Sequence, residues 1–218
     1  MRRSATPVRQ SSKEGSGSEF GEVEIKLDTT DNDEGWIQSG GETGNMAKFL
    51  LQATDVPHTM AFEARVKASS ITTGGWFVGF GEEGMSVADT IADGGTIVDK
   101  DYIGFFLPEV DSNGVDAVYN KASGANPTIS VANIHTVVAD TYVKLELIYN
   151  YKNSQAQQIK WYMNGVRNAT YVTKTLVDNA TNFPGDEEMA LLFGGKNSSA
   201  AANTFTMDWW RAALVVNK

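Results

Sequence analysis

Cysteine is absent from this 218-residue chain. No disulfide, thiolate metal site or cysteine nucleophile is therefore open to it, and a reducing cytoplasm suits its assembly. Histidine is scarce: His58 follows Pro57 and His135 lies within an apolar stretch, neither beside a second ligand or a serine elbow. Such placement speaks for structural histidines rather than a triad or a metal centre. Long apolar runs are missing too. The basic opening MRRSATPVRQ leads into no signal-type hydrophobic region, and no run reaches the length of a bilayer span, so neither secretion by that route nor a membrane partner is expected. Basic residues are outnumbered 18 to 27, and the formal charge of −9 argues against nucleic acid as a partner of the protein's body.

What charge there is falls unevenly. Residues 1–20 carry Arg2, Arg3, Arg9 and Lys13 against Glu14 and Glu19, so this stretch is net +2 and the remainder −11. Rich in Ser, Gly and Arg and without periodicity, it reads as an extended basic N-terminal arm, either an appended linker or a natural extension that becomes ordered against a partner. An arm ordered against a partner is expected, with Arg2, Arg3, Arg9 and Lys13 as its partner-binding residues. The domain proper is expected over residues 21–218.

From Val23 onward, short segments rich in β-branched and aromatic residues alternate with Gly, Asn and Asp clusters. Met60–Ala68 shows the rule: Met60, Phe62, Ala64, Val66 and Ala68 point one way and Glu63, Arg65 and Lys67 the other. Strands are also expected at Val23–Leu27, Trp76–Gly81, Tyr102–Leu107, Val115–Tyr119, Tyr142–Tyr151, Gln157–Met163, Met189–Gly194 and Thr204–Val216, among others. Asn164-Gly165 signals a tight hairpin. Helical texture is confined to Gly84–Gly95, enough for a turn or two. The expected fold is all-β: a two-sheet antiparallel β-sandwich of jelly-roll type with an extended arm.

Asp31 and Asp33 in LDTTDNDEGW alternate as calcium ligands do, but the EF-hand glycine and final glutamate are not at the required offsets. A turn whose acids hold backbone N–H groups is the expected outcome, and no metal or other cofactor is assigned. Glu22 and Glu24 share a strand face as glycosidase carboxylates do, yet Lys26 and Leu27 stand where a third acid is needed. The glycine-bearing TTGGWFVGFGEEG has no lysine and no following helix, which excludes a phosphate loop. No catalytic residue is assigned.

Phe62-Glu63-Ala64-Arg65, Phe77-Val78-Gly79-Phe80, Asn164-Gly165, Phe183-Pro184-Gly185-Asp186-Glu187 and Asp208-Trp209-Trp210-Arg211 follow one another in an order that resembles a group of tailed-phage structural proteins with a concanavalin A-like lectin/glucanase sandwich. The resemblance spans about residues 45–216. It implies a virion protein without enzymatic activity, most simply a capsid decoration or cement protein. Such a protein is assembled in the host cytoplasm, binds the major capsid protein on the outside of the head, and forms a homo-oligomer, a trimer being favoured. A fibre subunit, or a carbohydrate-binding module stacking sugars on Trp36, Trp76 or Tyr119, is the alternative.

On a regular strand, Phe205, Met207, Trp209 and Arg211 share one face while Asp208 and Trp210 share the other. Trp209 is therefore expected in the core, Trp210 at a possible interface, and Arg211 as a partner for Glu63. A direct Asp208–Arg211 pair would need a bulge.

Overall fold

The computed structural model describes residues 21–39, 49–50, 58–87, 89–93, 95–109, 113–123, 128–150 and 158–216. Its strands, in chain order, are β1 (Val23–Lys26), β2 (Glu34–Gln38), β3 (Phe49–Leu50), β4 (His58–Ala68), β5 (Gly74–Glu82), β6 (Ile91–Ala92), β7 (Thr96–Ile97), β8 (Tyr102–Leu107), β9 (Gly114–Asn120), β10 (Thr128–Thr136), β11 (Val143–Asn150), β12 (Ile159–Met163), β13 (Val166–Val172), β14 (Glu188–Asn197) and β15 (Thr204–Val216). They form two stacked antiparallel sheets. The six-stranded sheet has the order β1-β15-β4-β11-β12-β13; the seven-stranded one runs β10-β9-β8-β5-β14-β2, with β3 also pairing with β14.

The two sheets bury their facing sides against each other. Phe62 of β4 meets Phe80 of β5 edge-on at 5.0 Å between ring centroids, and Phe105 of β8 meets Trp161 of β12 at 5.4 Å. The alternation in β4 holds: Met60, Phe62, Ala64, Val66 and Ala68 are all buried. Asn164 and Gly165 both have positive φ, 51° and 79°, the type I′ geometry that joins β12 to β13 with the right twist.

Several expectations need correction. Gly84–Gly95 holds the one 3₁₀ turn its texture allowed, Met85–Val87, but helix is not confined there: Lys174–Val177 forms a single α-helical turn, α1, capped by the Thr173 side chain. The Asp28–Trp36 stretch is not all loop, since Glu34–Gln38 is β2 and pairs along β14.

The third correction concerns β15, whose register shifts between Met207 and Trp209. This bulge turns the strand by one residue. Met207 pairs with inward Val66, but Trp209 pairs with outward Arg65 and Trp210 with inward Ala64. Trp209 therefore lies on the outer face of the sheet rather than in the core with Phe205 and Met207.

Candidate functional site

The outer side of the seven-stranded sheet is the face on which the chain spends its less usual residues. Along β14, β5 and β8 the outward positions are largely glycines or apolar groups, with Gly79 paired to Gly104 and Gly194 paired to both Trp36 and Phe77. A Cβ at Gly194 would stand 2.5 Å from Trp36 Cε3, so glycine is what lets the indole lie flat on the sheet. Trp36, Phe77, Tyr102, Phe106, Val118 and Leu192 form an aromatic floor.

That floor is covered by the chain itself. The connection from β5 to β8, residues 83–101, folds over it as a strap, with Met85, Ile91 and Ile97 buried in the same cluster. Polar clamps hold the strap down. The Glu34 carboxylate accepts from Trp36 Nε1 at 2.8 Å and from the backbone N–H groups of Thr90 and Ile91 at 3.1 and 3.3 Å. Lys196, cross-strand partner of Glu34, is itself buried; its Nζ donates to the Ile91 carbonyl at 3.0 Å and to the Asp93 carboxylate. Burial pushes the Glu34 carboxyl up despite these donors and Lys196. A lysine at the end of a buried strand, after FGG, was the only sequence signal for this clamp.

A second polar layer lies on the outer face of the six-stranded sheet. Glu63 takes Arg211 Nε on one side and Lys144 Nζ, at 2.9 Å, on the other, with Glu146 directly opposite on β11. Arg65 pairs with Asp208 and stacks over the Tyr142 ring, and the Tyr142 hydroxyl donates to Glu22. Glu24 is bound to Lys26. The two acids weighed as a glycosidase pair are thus spent at the edge of this layer.

The other expected residues lie as follows. Trp76 and Tyr119 are 3% and 2% exposed, packed between the sheets, Tyr119 against Phe183. Trp36 is sealed under the strap. A sugar ring therefore meets none of the three stacking candidates in this state, because strand aromatics on both faces of the seven-stranded sheet are buried. In the acid loop, Asp33 accepts from the Asp28 N–H and Asp28 from the Thr30 N–H, while Asn197 binds the Asp28 carbonyl. Asp31 is exposed, and no group of three metal-ligating side chains occurs among the described residues. Arg2, Arg3, Arg9 and Lys13 fall outside the described residues. Trp210 is 39% exposed and Leu214 41%, both on the stretch of β15 past Met207, where β1 no longer runs alongside.

Solved structures similar to this chain have the concanavalin A-like lectin/glucanase fold, and the chain shares it. The potassium-bound Emp46p carbohydrate recognition domain matches with a TM-score of 0.57 and 15% identity over 87% of this chain and 82% of that one. Alginate lyase AlyC3 matches with 0.53 and 9% identity over 90% and 76%. The catalytic domain of an endo-1,3-beta-glucanase (laminarinase) from Thermotoga petrophila RKU-1 matches with 0.50 and 12% identity over 91% and 79%. No protein-family model and no curated protein matches the sequence.

These neighbours overturn one expectation. Absence of enzymatic activity was implied by the family resemblance, but the same fold carries a glucanase and a lyase, so it gives no ground for that exclusion.

Proposed function

We propose that this chain is a virion structural protein of a tailed phage, a decoration protein that sits on the outside of the head and bridges major capsid subunits as a homo-oligomer. The observation that carries the reading is the division of surfaces. The outer face of the seven-stranded sheet is closed by the strap, while β15 leaves Trp210 and Leu214 exposed on the side of Ala64 and Met60, opposite the face that carries the Glu63 and Asp208 ion pairs. An exposed tryptophan with an exposed leucine on the same face is the make-up of a protein–protein contact. The order of segments from Phe62-Glu63-Ala64-Arg65 to Asp208-Trp209-Trp210-Arg211 supplies the capsid as partner, and the arm's Arg2, Arg3, Arg9 and Lys13 suit acidic groups on it.

The test is binding of the purified protein to undecorated heads. Intact protein is expected to co-sediment, and removal of residues 1–20 to lower occupancy; undiminished occupancy removes the arm from the mechanism.

A second reading, a carbohydrate-binding module on a fibre or elsewhere, is favoured by the likeness to the Emp46p domain. A glycan array separates the two: specific binders support it, and a blank array with capsid binding intact counts against it.

A further inference from the structure

The strap leaves and rejoins the seven-stranded sheet at one point. Glu82, the last residue of β5, and Asp101, just before β8, close its neck: the Glu82 N–H donates to the Asp101 carbonyl at 2.8 Å and the Asp101 N–H to Glu82 Oε2 at 2.7 Å. The Glu82 carboxylate is thereby held against the Asp101 backbone, and a second negative charge on the buried Asp101 carboxyl nearby is disfavoured. Asp101 is buried, 4% exposed, and its Oδ1 has no hydrogen-bond partner among the described residues.

We propose that Asp101, at the Glu82–Asp101 neck, is a proton-operated latch on the strap, closed while its buried carboxyl is neutral and loosened when it ionises beside the Glu82 carboxylate. Loosening would free the strap's neck above the floor of Trp36, Phe77, Tyr102 and Phe106. The Tyr102 hydroxyl, buried there with no hydrogen-bond partner among the described residues, marks a floor the strap covers without satisfying.

The charges around the latch do not neutralise it. Lys100 is engaged by Glu82, with Glu187 also acting on it. Lys121 favours the ionised form of Asp101 but is paired with Asp186, and the Ala122 N–H adds a weaker pull the same way. Asp99 is occupied by Asn120 Nδ2 and the Ser123 N–H. Burial, and then the Glu82 carboxylate, hold the Asp101 carboxyl at about 6. Because this value is raised, the latch contributes fully below the ordinary aspartate value near 3.8 and fades as pH rises through about 6.

Hydrogen exchange of the full-length protein reads this directly. Between about pH 5 and about pH 7.5, after correction for the intrinsic rate, protection of peptides from 85–98 is expected to fall roughly tenfold, the change set by a carboxyl moving between those two values. Asp101→Asn, neutral throughout and able to donate to Glu82, is expected to stay protected across the range. Should it fail to fold, Glu82→Gln removes the opposing charge but leaves Asp101 buried, and is expected to give a smaller fall than the wild type. Peptides of β4 and β11 serve as the unchanged reference. Protection that stays level in the wild-type protein overturns the latch. So does an equal fall in the variant that folds, which would assign the pH dependence to Glu34 or another group.

Discussion

Arg211 stands directly opposite Glu63 across the β4–β15 pairing, and its Nε donates a hydrogen bond to the Glu63 carboxylate. Burial alone would push that carboxyl up, but Arg211, contact with Glu146 and Lys144 outweigh it and hold it at about 2. A lowered value contributes stability above the ordinary glutamate value near 4.5 and loses it as pH falls through about 2. Glu63→Gln should therefore cost about 1–2 kcal/mol at neutral pH, the range for a charge-assisted bond with one exposed partner. In urea denaturation the gap from wild type is expected to narrow steadily toward about pH 2. A gap independent of pH would show that packing, not charge, is lost.

The bulge at Asp208 gives a paired prediction. Asp208→Ala removes only the partly buried pair with Arg65 and should cost about 1 kcal/mol. Inserting one residue after Trp209 instead puts the rest of β15 one position out of register with β4, reverses the faces of every residue from Trp210 onward, and should abolish cooperative unfolding. Thermal melts of the two variants distinguish these outcomes.

The two kinds of tryptophan should separate as sharply. Trp161→Ala empties a fully buried site against Phe105 and is expected to cost about 3–5 kcal/mol. Trp210→Ala, at an exposed edge, should change stability by less than about 1 kcal/mol while weakening attachment to heads. Loss of folding in Trp210→Ala would mean that its ring closes the core rather than a contact.

Under the strap, Lys196→Met keeps the apolar stem but leaves Glu34 without its cation and Asp93 unpaired. Lys196 is buried but Asp93 is exposed, so the loss is expected at about 1.5–3 kcal/mol, the range for a bond to a charged group, and mainly as lost protection of Thr90 to Val98 rather than global unfolding. Gly194→Ala drives a methyl into the Trp36 ring and the Gly35 carbonyl and should lift the same region. Exchange in β11, on the other sheet, is expected to hold in both variants.

How far the sequence could be read depends on the range of the interaction. The alternation of β4, the Asn164-Gly165 turn and the Arg211–Glu63 pair are local or nearest-strand features, and all were legible. The bulge at Asp208 was not, because a one-residue register shift is set by what β4 presents opposite. Trp36, Trp76 and Tyr119 serve as sugar platforms only where the sheet leaves a face open. The unbroken apolar runs Trp76–Phe80 and Tyr102–Leu107 were in fact the mark of a sheet buried on both faces. The strap's clamp joins Glu34 to Thr90 and Lys196 to Ile91, more than 50 residues apart, and no local pattern announces it.

Electron cryomicroscopy of the assembled particle tests the functional account most directly. The account predicts the sandwich repeated over the outer surface of the head, with the Trp210 edge of β15 turned toward the capsid. Density confined to the tail, or a head-bound sandwich whose Trp210 edge faces solvent, would contradict it.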